Sequence, residues 1–121
     1  MKLLIALALV VLVQQKDPTA ADASAVIVDG GVAIYATLNN PTMYDAYVQS
    51  GTSAAGRVEL RDGGKTTSNI TIPSFGSVEL KAGGPFVLVK DLKSQPKAGD
   101  TIKVTVETDG GVAIAITAIV K

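Results

Sequence analysis

The 121-residue chain contains no histidine and no cysteine, and its one methionine beyond the initiator is Met43. Side chains able to do chemistry are therefore confined to carboxylates, tyrosines, lysines, arginines and that single thioether. The usual general base and commonest metal ligand are absent. So are a thiolate nucleophile, a thiolate metal site, any disulfide and a lipobox cysteine for acylation. Glu59, Glu79 and Glu107 each alternate with apolar neighbours, the pattern of a solvated sheet face rather than of an acid–base pair. Nothing local marks hydrolytic chemistry, and the chain reads as a non-enzyme. Asp62-Gly63-Gly64-Lys65-Thr66-Thr67 has a nucleotide-loop look. It lacks the G-x-x-x-x-G-K-[ST] spacing and a following helix, so it reads as a hairpin turn. Asn69-Ile70-Thr71 has the form of an N-glycosylation acceptor but falls in an apparent strand, while Asn40-Pro41-Thr42 is excluded by its proline. Tyr35, Tyr44 and Tyr47 either line a binding face or cover a sheet with their hydroxyls wet.

The elements that must carry these residues are strands. Thr101 to Glu107 alternates, with Ile102, Val104 and Val106 on one face. Asp109-Gly110 follows, then a second apolar strand from Val112 to Val120, a strong local hairpin signal. Val32 to Leu38 is a strand that stops at Asn39-Asn40-Pro41. Shorter candidates are Tyr44 to Ser50, Arg57 to Arg61, Asn69 to Ile72, Ser77 to Leu80 and Phe86 to Lys90. The spacing predicts an all-β, Greek-key β-sandwich of seven to nine short strands, immunoglobulin-like or cupredoxin-like. Its expected core comprises Ile34, Leu38, Val48, Val58, Leu60, Ile72, Val78, Leu80, Leu88, Leu92, Ile102, Val104, Val106, Ile114 and Ile116. The hexapeptide DGGVAI occurs at 29–34 and again at 109–114, which reads as two similar turn-to-strand entrances rather than a repeat protein.

Ahead of this domain, Lys2 and the apolar run LLIALALVVLV (3–13) read as a signal peptide, with an uncleaved anchor or a buried N-terminal strand as the alternative. Eleven helical residues span roughly 16 Å, about half of the ~30 Å bilayer core. Ala21-Asp22-Ala23 and Ala23-Ser24-Ala25 both match the small-x-small cleavage pattern. The expected organisation is a signal peptide at 1–23 and one domain at 24–121, exported to the periplasm or secreted, with only a transient membrane association. Eleven Lys+Arg balance eleven Asp+Glu, so no basic excess attracts nucleic acid.

Read in order, IYATLNNP (34–41), RVELRD (57–62), ITIPSFGSVEL (70–80) and AGGPFVLVKDLKSQPKAGDTIKVTV (82–106) form a series. That series resembles the PCu(A)C-type periplasmic copper-chaperone family over roughly residues 30–120. The resemblance implies a cupredoxin-like sandwich and a Cu(I) site. In that family a histidine follows Val-Glu-Leu, a His-x-Met pair sits on the Gly-Gly hairpin, and methionines sit on the intervening loop. Thioether and imidazole donors suit Cu(I). At the corresponding positions this chain has Arg61, Phe86 and Leu88, and its loop reads DGGKTTSNIT (62–71). Phe86 and Leu88 offer no lone pair and Arg61 is a permanent cation. The expectation is a vacated site at Arg61, Phe86 and Leu88, with no metal ligand, no cofactor and Met43 as the one soft donor left. Two functions follow. One is a degenerate, non-enzymatic scaffold or binding module for another exported or membrane protein. The other is copper handling through non-motif ligands, such as Met43, the mature N-terminal amine and carboxylates, or through a copper-protein partner. An adhesion-type immunoglobulin-like module shares the architecture, and fold alone does not choose among them.

Overall fold

Asp29-Gly30 closes a hairpin between two long strands, β1 (Thr19–Val28) and β2 (Gly31–Asn40), with Gly30 at φ 90°. The same residues at Asp109-Gly110 behave differently. There Gly111 takes the positive φ of 80°, and Thr108 donates its backbone N–H to the Val112 carbonyl at 2.9 Å. The Val112 N–H in turn reaches the Thr108 hydroxyl at 3.3 Å. The turn is therefore longer than the expected two-residue hairpin, and the strand after it starts at Ala113. One hexapeptide thus gives two turns, because a side chain outside it competes for the backbone.

The computed structural model describes residues 17–121. Among them the remaining strands are β3 (Ala46–Thr52), β4 (Arg57–Asp62), β5 (Lys65–Thr66), β6 (Ile70–Ile72), β7 (Gly76–Glu79), β8 (Pro85–Lys90), β9 (Thr101–Thr108) and β10 (Ala113–Val120). Ten strands stand against the seven to nine expected; the additions are the two-residue β5 and the full length of β1. The expected boundary at residue 23 falls inside β1, and the apolar run 3–13 lies outside the described residues.

Hydrogen bonds order the strands β5-β4-β8-β2-β1-β10-β9-β3-β6, with β7 on the far half of β2. β1 is the hinge of this order, antiparallel to β2 and parallel to β10. The two halves fold onto each other as an all-β, cupredoxin-like sandwich. Gly51 of β3 lies so close to β4 that an added Cβ would meet Val58 Cγ1 at 2.7 Å. One layer contributes Val32, Ile34, Leu38, Val87 and Val89 to the core; the other contributes Val48, Ile72, Val104, Val106, Ile114 and Ile116. β10 shows the reason: its residues alternate exposed and buried without a break, so one side of the pleat is wholly apolar.

The expected core holds for most of its members and needs correcting on β8. Val87 and Val89 point inward and Leu88 outward, so Leu88 is half-buried on the outer face. In the unbroken run Phe86-Val87-Leu88-Val89 no polar residue marks the face, and only the pairing partner decides it. Val58, Val78 and Leu92 pack against the core from its margin. Two glycines permit close backbone approach beneath this layer. A Cβ on Gly31 would run into the Val89 carbonyl, and one on Gly56 into the Lys90 carbonyl.

Candidate functional site

Strands β4 and β8 pair antiparallel with Arg61 opposite Phe86 and Glu59 opposite Leu88. Because Leu60, Val87 and Val89 turn into the core, strand alternation puts Glu59, Arg61, Phe86, Leu88 and Lys90 together on the outer face. β2 extends the face: Ile34 pairs with Val87, which sets Tyr35 beside Phe86. Their rings meet edge to face, with centroids 6.0 Å apart and planes at 67°, the favoured geometry for two aromatic quadrupoles. Arg61, Phe86 and Leu88, nominated from separate segments of sequence, thus occupy one patch.

Ion pairs fill the patch. Arg61 Nη1 donates to Glu59 Oε2 at 2.8 Å, and Lys90 Nζ donates to Glu59 Oε1 at 3.3 Å. Arg61 Nη2 caps the turn after β4 by donating to the Gly64 carbonyl at 2.8 Å. The hydrogen bond from Arg61 is the main cause holding the Glu59 carboxyl below its ordinary range; partial burial opposes it and Lys90 assists. The Glu59 side chain is 18% exposed and that of Arg61 23%, so water screens this pair less than an open surface pair. The Arg57–Asp91 pair at the end of the same strands is open to solvent on both sides and contributes little. Arg61 Nε is buried without a partner, which is the cost of fitting a guanidinium here.

This donor set does not fit a soft metal ion. Phe86 and Leu88 supply no lone pair, Arg61 and Lys90 are cations, and each Glu59 oxygen already accepts a hydrogen bond from one of them. Among the described residues no three His, Cys, Asp or Glu side chains gather as a metal-holding group. Met43 belongs to a different connection. It lies between β2 and β3, 60% exposed, in a loop whose Thr42 carbonyl accepts the Phe75 N–H at 3.0 Å.

Sequence reasoning missed Glu59 and Lys90 as members of this face. Glu59 had been assigned to a solvated surface, and the signal that places it is its i, i+2 spacing to Arg61 on one strand. It also missed the role of Asn40, which is 2% exposed. Asn40 Nδ2 donates to the carbonyls of Tyr44 at 2.8 Å and Ile72 at 3.0 Å. Its Oδ1 accepts from the Thr42 N–H at 3.0 Å and the Thr42 hydroxyl at 2.6 Å. The Asn-Pro strand end is thus a structural clamp that ties the end of β2 to the β2–β3 connection and to β6.

This arrangement of strands is that of a PCuAC domain. The copper-bound PCuAC domain from PmoF2 superposes with a TM-score of 0.73 at 17% identity, covering 84% of this chain and 90% of that one. The apo PCuAC domain from PmoF1 gives 0.73 at 16%, over 84% and 91%. The solution structure of CuI-DR1885 from Deinococcus radiodurans gives 0.66 at 24%, over 87% and 75%. At these identities the likeness is one of fold. The chain belongs to the LpqE-like family: residues 11–120 match the family model described as "Putative lipoprotein LpqE-like". No curated protein matches it.

Proposed function

We propose that the chain is an exported, non-enzymatic member of its family that has lost the soft Cu(I) site of the fold and serves as a binding or scaffold module for another exported or membrane protein. The observation that carries this reading is the Arg61–Glu59 pair on the face shared with Phe86 and Leu88. A permanent cation with its own carboxylate partner stands at the position to which the resemblance assigns a metal ligand, and like charge opposes an ion at close range. The family description supports export, and the apolar run 3–13 supplies the targeting signal.

At the Gly-Gly hairpin Pro85 is paired to Asp62 and Phe86 is half-buried. Exposed apolar side chains lie instead at Met43, Tyr44 and Phe75, where the 41–45 and 73–75 connections are tied by the Thr42–Phe75 hydrogen bond. Phe75 is held there at φ 53°, in the left-handed region that a bulky residue enters only at a cost.

A Cu(I) competition titration of residues 17–121 against a coloured chelator, under reducing conditions, tests the reading. No competition is expected. Stoichiometric binding overturns it in favour of copper handling by non-motif donors, and loss of that binding in Met43→Leu would identify the exposed thioether as one of them.

A further inference from the structure

Gly76 donates its N–H to the Pro73 carbonyl at 3.0 Å, so Ser74 and Phe75 are the central residues of a β-turn between β6 and β7. Phe75 holds the second central position at φ 53°, a place that glycine or asparagine fills by preference. It returns nothing to the core, since it is 70% exposed. A large apolar side chain held in strain and aimed at solvent weakens the fold, and strain of this kind collects where a surface is used.

The neighbouring connection is as exposed and is firmly held. Tyr44 is 73% exposed, and its carbonyl accepts from both Asn40 Nδ2 and the Thr42 hydroxyl. Asp45 Oδ1 accepts the Ser74 N–H at 2.9 Å. With the Thr42–Phe75 bond, this cross-links the two connections twice. A surface fixed before contact loses little conformational freedom on binding.

Carboxylates alone rim this end of the sandwich. The 41–45 connection lines one shallow groove with Phe75, through Pro41, and another with Asp17 and Asp109, through Tyr44 and Asp45. Asp109 is positioned as Asp45 is, with Oδ1 accepting a backbone N–H, that of Tyr47, at 3.1 Å. Among the described residues neither aspartate is in a salt bridge. Residues 17–56, 66–80 and 104–120, which supply every connection at this end, contain no lysine or arginine.

We infer that this end is the docking surface for a cationic segment of the partner polypeptide, with arginine its best-suited residue. A guanidinium stacks on the ring of Tyr44 or Phe75 while its edge donates to a carboxylate. The thioether of Met43 gives an adaptable apolar contact to the residue beside it. The aromatic side chains carry the contact, and the carboxylates choose what makes it.

The inference rests on the binding-module reading above and names its surface. Residues 17–121 hold all ten strands and the whole buried core. They are isotope-labelled for amide NMR and titrated with the capped tetrapeptide Arg-Leu-Arg-Leu, with its Glu-Leu-Glu-Leu counterpart and with phosphatidylcholine vesicles. The arginine peptide alone is expected to shift the Tyr44, Asp45, Phe75 and Asp109 amides saturably, and less so at about 1 M salt, where the Debye length is roughly 3 Å. Phe75→Asn is expected to raise the urea midpoint and yet weaken binding about tenfold or more. Asp45→Asn with Asp109→Asn removes both charges, keeps both backbone acceptors and is expected to weaken binding likewise.

No shift with the arginine peptide, or equal binding of the two peptides, overturns the inference. Shifts confined to the face of Arg61 and Phe86 also overturn it, and leave a binding module that uses another surface. Vesicles that perturb the same amides where the peptide does not would make the patch a membrane contact instead. A less stable Phe75→Asn would show that the ring supports the fold and remove the reason for a partner there. Stoichiometric Cu(I) binding in the titration above counts against the proposed function and leaves this surface standing.

Discussion

Arg61 lies directly opposite Phe86 on the paired strands β4 and β8, so two residues far apart in sequence share one patch of the outer face. Leu88, two residues beyond Phe86, projects on the same side. A directly opposed pair places its Cβ atoms roughly 5 Å apart, close enough for two side chains to converge on one ion.

That relationship makes the three positions open to conversion into a donor set. Arg61→His with Phe86→His and Leu88→Met replaces a cation and two hydrocarbons by two imidazoles and a thioether, donors suited to Cu(I). The triple variant is expected to compete for one equivalent of Cu(I) under conditions where the parent chain does not. A correctly folded triple variant that competes no better than the parent would show that these three positions do not form the family's site.

Phe86 is half-buried and touches Tyr35 edge to face. Phe86→Ala is expected to destabilise the domain by about 1–2 kcal/mol, below the roughly 3–5 kcal/mol typical of a fully buried ring. Urea denaturation measures this. A loss as large as that of a core ring would mean that Phe86 belongs to the interior.

Asn40 satisfies two carbonyls and two donors, from the β2–β3 connection and β6. Asn40→Ala leaves those groups without it, for an expected loss of about 2–4 kcal/mol. Asn40→Asp is expected to cost more at neutral pH, because a carboxylate would face the Tyr44 and Ile72 carbonyls. Thermal unfolding of the two variants side by side checks the order, and equal stability of Asn40→Asp with the parent would refute the clamp.

The Glu59 carboxyl titrates below its unfolded-state value, chiefly because Arg61 donates to it. A depressed folded pKa adds stability that is present above the unfolded pKa of about 4.3 and is lost as pH falls through the folded one. The parent is therefore expected to exceed Glu59→Gln in stability near neutral pH, with the gap closing below about pH 4. Unfolding curves at several pH values measure it. A gap that is constant from neutral to acid pH would show that packing, not charge, accounts for the difference.

Much of the fold was legible because most strands advertise one face. In β9 every second residue is apolar, which marks both the strand and its core side, whereas β10 is apolar at all but Thr117 and advertises the strand without its face. β8 lacked that contrast, so Leu88 was read inward although it faces out. β1 as a whole escapes a reading of the sequence for a different reason. Thr19 to Ser24 are small, weakly patterned residues next to an apolar run, and their strand character comes from pairing with Thr37 to Asn39 rather than from their own propensity. On the outer face, the residue types at 61, 86 and 88 are read directly from the sequence. The pairing of Glu59 with both Arg61 and Lys90 is not, since Lys90 comes from the neighbouring strand.

The parallel pairing of β1 with β10 sets a kinetic constraint. Ser24 and Ala25 find their partners at Ile119 and Val120, nearly the full chain away, and β1 is also the strand that joins the two layers. Contacts of such high sequence separation form late and slow the search. The sandwich cannot close until its last strand has left the ribosome. Until then the chain has no closed core, and its slowest folding step is expected to be the docking of the two ends of the chain.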